Sequence, residues 1–131
     1  MNAAPVESND DIVRIRQLVR STAIEAKMSI VDQTKIVTAA SELARNAFVH
    51  GGGGSAVVEL VTNQMGRKGV RLVFADQGPG IPDIDLALTE GWTSGNGLGL
   101  GLSGTRRLVD EFDLQTAVGE GTTVTVTKWA R

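Results

Sequence analysis

The sequence predicts an α+β fold, a two-layer α/β sandwich whose mostly antiparallel sheet carries helices on one face. Three observations support this. Apolar residues recur at helical spacing in the first part of the chain, β-branched runs joined by short turns follow, and no parallel-sheet pattern of alternating strands and helices occurs. The length of 131 residues predicts one domain, residues 1–131.

The N-terminal part is predicted to form a short strand or arm, residues 1–7, followed by two helices. Ser8 and the acids after it can cap a first helix that runs to about Lys27. Ser29 begins a second helix through a capping box, and the glycine run 51–54 ends it. The apolar stripes are Ile12, Ile15 and Val19 in the first helix, and Ile36, Ala40, Leu43 and Ala47 in the second.

The rest of the chain is predicted to supply most of the sheet. Two β-branched runs, 56–61 and 70–75, are separated by a basic, glycine-flanked turn and therefore predict a hairpin. Next come a helix from about Leu102 to Glu111 and a strand near 112–118. Valine alternates with threonine from Thr122 to Trp129, which predicts a last strand with one wetted face.

Composition excludes several classes of function. The absence of cysteine and the single histidine argue against a disulfide framework and against thiolate or histidine-rich metal sites. The 13 basic and 15 acidic residues give a net charge of −2, which argues against a binder of nucleic acid or membrane surfaces. No leader pattern and no span of ~18 apolar residues occurs, so we expect a cytoplasmic protein.

The second predicted helix carries a carboxylate and an amide one turn apart. Glu42 and Asn46 are separated by only ~40° around the helix and lie away from its apolar stripe. Such a pair can hold a hard cation, or one side chain can orient a hydroxyl while the other binds Mg²⁺. A solvated polar helix face is the alternative interpretation.

Three glycine-containing segments follow. Asp76–Pro82 places a carboxylate at a strand end and leaves backbone open to a ligand, or is simply a tight turn. Gly95–Gly104 precedes a helix and exposes N–H groups suited to phosphate, with flexible filler as the alternative. Within it, 99–104 matches a dinucleotide-binding pattern, but its late position after a polar loop argues against a Rossmann fold. Gly119–Thr123 is a turn whose threonines could meet a ligand.

Together these motifs resemble those of a known family, over roughly residues 32–127. They are similar to the N box, the two glycine boxes and the terminal Gly-Thr of GHKL (Bergerat-fold) ATP-binding domains. The motifs are Glu42-x-x-x-Asn46, Asp76-x-Gly78-x-Gly80, Gly97-x-Gly99-x-Gly101 and Gly121-Thr122. The runs 41–46, 76–81 and 97–101 followed by 106–112 are further similar to those of RsbT-type switch serine/threonine kinases of the anti-sigma factor kinase family.

The resemblance implies a site for ATP and Mg²⁺. Asp76 would accept a hydrogen bond from the adenine amine, with Thr122 nearby, and Asn46 would bind Mg²⁺. Glu42 would take the proton of the acceptor hydroxyl. Gly78 and Gly80 would let the backbone approach the base, and the amides of Gly97, Leu98, Gly99, Leu100 and Gly101 would hold the phosphates. Residues 83–96 would form the ATP lid, with Trp92 at its middle.

The resemblance also implies a kinase in a bacterial partner-switching pathway of stress or sigma-factor regulation. Its substrate would be a STAS-domain regulator, and it would also bind and activate a PPM-type phosphatase. An anti-sigma factor kinase that sequesters a sigma factor and a nucleotide-gated binding module with little catalysis are the alternatives. His50 is either a phosphate contact or a helix-end residue, and Arg16 and Arg20 face either an acidic partner or solvent.

Overall fold

The computed structural model describes residues 2–78 and 101–131, and every structural statement below concerns these residues. The elements are β1 (Asn2–Val6), α1 (Asn9–Glu25), α2 (Ile30–Val49), β2 (Gly54–Thr62), β3 (Lys68–Asp76), α3 (Gly101–Arg107), β4 (Glu111–Ala117) and β5 (Gly121–Trp129). This order agrees with the predicted one. None of the described helices is long and apolar enough to span a membrane.

The described strands form a five-stranded sheet in the order β1-β2-β3-β5-β4, with every neighbouring pair antiparallel. Val58, Leu72 and Val126 lie opposite one another on three adjacent strands and are fully buried. They share one core with Ile15 of α1 and Leu43 of α2. The α+β prediction, with helices on one face of an antiparallel sheet, is therefore confirmed.

Both long helices begin at the predicted cap residues. The hydroxyl oxygen of Ser8 accepts a hydrogen bond from the backbone N–H of Asp11, and that of Ser29 accepts one from Asp32, each at 3.1 Å. These bonds satisfy N–H groups that have no partner within the helix. The predicted stripe of α2, Ile36, Ala40, Leu43 and Ala47, is buried at all four positions.

A buried lysine of β5 lies near the start of α2. Lys128 is 4% exposed, and its Nζ lies 3.6 Å from Oδ1 of Asp32 in the first turn of that helix. Two buried charges of opposite sign depend on each other, because removing either one leaves the other unpaired in a poorly solvated place. The pair therefore ties β5 to the helix that carries Glu42 and Asn46.

Two details of the sequence prediction are wrong. The helix expected to reach Glu111 ends at Arg107, because Asp110 is already bonded to β5: its N–H donates to Thr127 and its carboxylate accepts from the N–H of Trp129. The threonine-bearing face of β5 was predicted to be exposed to solvent, but Thr127 on that face is only 2% exposed. Arg71 on the neighbouring strand donates from Nε to the Thr127 hydroxyl at 3.2 Å.

Candidate functional site

A row of residues crosses one end of the sheet. Its members, directly opposite one another on β2, β3, β5 and β4, are Gly54, Asp76, Thr122 and Thr116. Opposite residues of antiparallel strands project from the same face. Phe74 and Val124, two positions along their strands, are buried, so this row lies on the helix-covered face. The structure therefore brings the predicted residues Asp76 and Thr122 side by side.

The side chain of Asp76 is held by one hydrogen bond and crowded by glycine. Its Oδ1 accepts from the backbone N–H of Gly78 at 2.9 Å. A Cβ built on Gly51 would lie 2.5 Å from Cβ and 2.7 Å from Oδ2 of Asp76, distances that real Cβ atoms essentially never show. A Cβ on Gly78 would lie 2.6 Å from Cα of Gly51. The carboxylate thus occupies space that any other residue at position 51 would take.

Two glycines, Gly121 and Gly54, lie close to the backbone of Asp76, as Gly51 lies close to its side chain. Gly121 has a φ of +88°, which L side chains rarely adopt, and a Cβ there would overlap the carbonyl oxygen of Asp76. On the other side, a Cβ on Gly54 would lie 3.0 Å from Cα of Asp76. The predicted Gly121-Thr122 motif therefore has a physical reason, since only glycine at 121 lets β5 place Thr122 opposite Asp76.

The end of α2 brings the predicted carboxylate and amide to the same end of the molecule. The backbone carbonyl of Asn46 accepts from the N–H groups of His50 and Gly51, at 2.9 and 3.2 Å. Gly51 in turn lies against Asp76, so Asn46 is about one turn before that contact, and Glu42 is one turn earlier. The side chains of Glu42 and Asn46 are half-buried, at the border of the core-facing stripe.

Several predicted site residues lie outside the described residues. These are Gly80, Gly97, Leu98, Gly99, Leu100 and the lid segment 83–96. Gly101 begins α3, which packs against α2. Residues 2–78 and 101–131 contain no group of three or more His, Cys, Asp or Glu side chains suited to a metal ion. The metal role of Asn46 and the phosphate role of residues 97–101 stay predictions.

The residues whose role the sequence left open are placed as follows. His50 is the C-cap of α2 and is exposed. Arg16 and Arg20 are exposed on α1, where Arg14 instead pairs with Asp11 at 3.0 Å. Neither placement assigns these side chains a ligand.

Sequence reasoning missed two residues of the site, Gly51 and Thr116. The sequence interprets the run 51–54 only as the end of the second helix, whereas in the structure Gly51 also contacts Asp76. Thr116 has its Oγ1 2.9 Å from the Oγ1 of Thr122 and 3.1 Å from the carbonyl oxygen of Gly121. The signal for Thr116 would have been the register of the β4–β5 hairpin, which places it opposite Thr122.

The chemistry of this row suits a base that carries an amine. An ionised carboxylate can only accept hydrogen bonds, and it lies here beside a hydroxyl on a partly covered face. The carboxylate therefore suits a ligand group that donates a hydrogen bond, and the exocyclic amine of adenine is such a group. The carboxylate and amide oxygens on α2 are groups that bind Mg²⁺. The residues present therefore fit a magnesium-bound adenine nucleotide.

Comparison with known proteins gives matches over most of the chain. Residues 31–131 match the family of histidine kinase-, DNA gyrase B- and HSP90-like ATPases. The chain is 47% identical over 121 residues to the serine/threonine-protein kinase RsbT of Bacillus subtilis, covering 92% of this chain and 90% of that protein. It is 26% identical over 117 residues to the anti-sigma F factor of Thermoanaerobacter sp. strain X514, covering 87% of this chain and 82% of that protein.

A solved structure supports the fold. The RsbU and RsbW domains of a Mycobacterium tuberculosis protein align with 100% of this chain, at a TM-score of 0.65 and 22% sequence identity. This chain covers 33% of that longer one. The likeness agrees with the antiparallel sheet and helix layer described above.

Proposed function

This chain belongs to the family of histidine kinase-, DNA gyrase B- and HSP90-like ATPases, and we propose that it is a cytoplasmic kinase that phosphorylates serine or threonine in a STAS-domain regulator. It is a protein kinase that uses ATP, as its family and its 47% sequence identity to the kinase RsbT establish. The observation that carries the proposal is structural. The row containing Asp76 and Thr122 lies at the end of the molecule where α2 presents Glu42 and Asn46.

In the proposed site, Asp76 recognises the base. Because its Oδ1 accepts from Gly78, the second carboxylate oxygen accepts from the exocyclic amine of adenine. Thr122 borders the same position on β5. When bound with Mg²⁺, ATP supplies the phosphoryl group for transfer, and such transfer depends mainly on positioning and on neutralisation of charge. The amide oxygen of Asn46 would hold the metal, and the amides of residues 97–101 would hold the phosphates.

Glu42 is proposed as the general base. It lies one turn before Asn46 on α2, so one helix would fix both the metal ligand and the group that takes the proton of the acceptor hydroxyl. A positioned general base contributes about 10²- to 10⁴-fold to the rate of such reactions. Residues 83–96 would close over the nucleotide as the lid.

The proposed biological role is a switch between partners. Phosphorylation of the STAS-domain regulator would break its complex with the kinase, and the released kinase would then bind and activate a PPM-type phosphatase. The 26% identity to an anti-sigma F factor favours a second candidate, a kinase that sequesters a sigma factor. Co-purification of a sigma factor, with no phosphatase, would decide for the second candidate.

The test is the intact mass of a STAS-domain protein from the same source after incubation with this chain and Mg·ATP. We expect a gain of one phosphate that is absent with Glu42→Ala and with Asp76→Asn. Glu25→Ala is the matched control, since Glu25 is an exposed carboxylate at the end of α1. A protein that binds ATP but transfers no phosphate to any STAS partner would leave only the role of a nucleotide-gated binding module.

A further inference from the structure

Two of the contacts of the Thr116 hydroxyl together determine the direction of a hydrogen bond. Its Oγ1 lies 3.1 Å from the carbonyl oxygen of Gly121 and 2.9 Å from the Oγ1 of Thr122. A carbonyl oxygen can only accept, so the Thr116 hydroxyl donates its single proton to Gly121. The proton between the two threonines must then come from Thr122.

We propose that Thr116 is a positioning residue that acts through Thr122 and sets which nucleobases the site accepts. The inference rests on the proposed ATP site. Because Thr122 donates its proton to Thr116, its oxygen presents only lone pairs to a bound base. The carboxylate of Asp76 beside it is also a hydrogen-bond acceptor. This part of the row therefore selects a base that donates hydrogen bonds at this edge. The exocyclic amine of adenine carries two N–H donors and satisfies this requirement.

The surrounding hairpin holds this arrangement in place. Gly121 pairs with Ala117, and the N–H of Glu120 donates to the carbonyl of Ala117 at 2.9 Å, which closes the β4–β5 turn next to the two threonines. The carbonyl of Gly121 is therefore fixed, and with it the acceptor for Thr116. A hydroxyl whose direction is set before binding discriminates more sharply than one that can rotate to suit either ligand.

The test compares two ligands that differ only in the amine. Dissociation constants are measured by calorimetry for Mg·ATP and for the Mg complex of purine riboside triphosphate, which lacks the 6-amino group. The wild type should bind Mg·ATP more tightly than the analogue, and the ratio of the two dissociation constants measures this preference. Thr116→Val should reduce the ratio by about three- to tenfold, the effect of one neutral hydrogen bond. Thr116→Ser keeps the hydroxyl and should keep the preference. Thr125→Val, on the opposite face of β5, is the control.

A double variant separates action through Thr122 from a general structural effect. If Thr116 acts through Thr122, adding Thr116→Val to Thr122→Val should cause no further loss of preference. An unchanged preference in Thr116→Val, or losses that simply add, would overturn the inference. Thr116→Ala gives the same comparison if the valine variant does not fold. A wild type that does not bind Mg·ATP would reject the proposed function and this inference with it.

Discussion

The backbone of Gly51, just past the end of α2, lies against the side chain of Asp76 at the end of β3, with no room for a Cβ between them. This contact joins the helix that carries Glu42 and Asn46 to the carboxylate that the proposal assigns to the base. The position of the Asp76 carboxylate relative to Glu42 and Asn46 is therefore set where the end of α2 meets the end of β3.

Replacing Gly51 with alanine should weaken nucleotide binding. The new methyl group would lie 2.5 Å from Cβ of Asp76, so either the carboxylate rotates or the end of α2 moves away. We expect the dissociation constant for Mg·ATP to rise by at least about tenfold, as for the loss of a charge-assisted hydrogen bond. Calorimetric titration measures this.

Gly52→Ala is the matched control for that variant. Gly52 has a φ of +74°, and nothing lies within 4 Å of a Cβ built there. Its substitution should cost about 1–2 kcal/mol of folding free energy through backbone strain but leave ATP affinity nearly unchanged. Equal losses of affinity in both variants would mean that the contact with Asp76 is not the cause.

Asp76→Asn should remove nucleotide affinity without disturbing the turn. The asparagine oxygen can still accept from the N–H of Gly78, and this bond directs the new NH₂ group to the side where the second carboxylate oxygen lay. A donor would then face the donating amine of the base. We expect affinity for Mg·ATP to fall about ten- to a hundredfold while the urea midpoint stays near that of the wild type.

Glu42→Gln should separate catalysis from binding. The amide has nearly the shape of the carboxylate but cannot take a proton, so kcat for phosphotransfer should fall by about 10²–10⁴. KM for ATP and the calorimetric affinity should remain within about twofold of the wild type. A rise in KM with kcat preserved would instead place Glu42 among the binding groups.

The buried pair of Asp32 and Lys128 should respond asymmetrically to mutation. Asp32→Ala leaves an ammonium group buried in the core without its carboxylate, and we expect a loss of about 3 kcal/mol in unfolding free energy. Lys128→Met leaves Asp32 in the first turn of α2, where the helix dipole favours a negative charge, so its cost should be smaller. Urea denaturation measures both.

The double variant Asp32→Ala with Lys128→Met tests the same pair. Since it contains neither charge, it should recover much of the stability that Asp32→Ala loses. Additive losses in the double variant would show that the two side chains do not depend on each other.

Tryptophan fluorescence should report on the proposed lid. Trp129 lies at the far end of β5 from Thr122, about 23 Å away, with its indole N–H bonded to Glu111 at 2.8 Å. Trp92 falls in the predicted lid. A change in emission on adding Mg·ATP should persist in Trp129→Phe and be largely lost in Trp92→Phe. The reverse pattern would argue against a lid at 83–96.

Features encoded by nearby residues were predictable from the sequence. The caps at Ser8 and Ser29 and the stripe of α2 depend on neighbours within a turn or two, and the structure confirms them. The spacing of Glu42 and Asn46 follows from helix geometry alone. The hairpin of β2 and β3 was likewise predictable from two β-branched runs and a short turn.

Features that depend on distant segments were not predictable. The helix ends early because Asp110 is bonded to β5, and Thr127 is buried beside Arg71 on β3. Both depend on strand order, which the local pattern does not contain. Thr116 escaped notice for the same reason, since its relation to Thr122 requires the register of β4 against β5.

The row across the end of the sheet has a consequence for the order of events during synthesis. Its members come from β2, β3, β4 and β5, so Asp76 emerges from the ribosome well before Thr122, its neighbour in the sheet. A nascent chain that lacks β5 has only part of the row that the proposal assigns to the base. Nucleotide at a hundred times its dissociation constant would therefore stabilise only the finished fold, by about 2.7 kcal/mol. Binding of nucleotide to the chain would then mark the completion of folding.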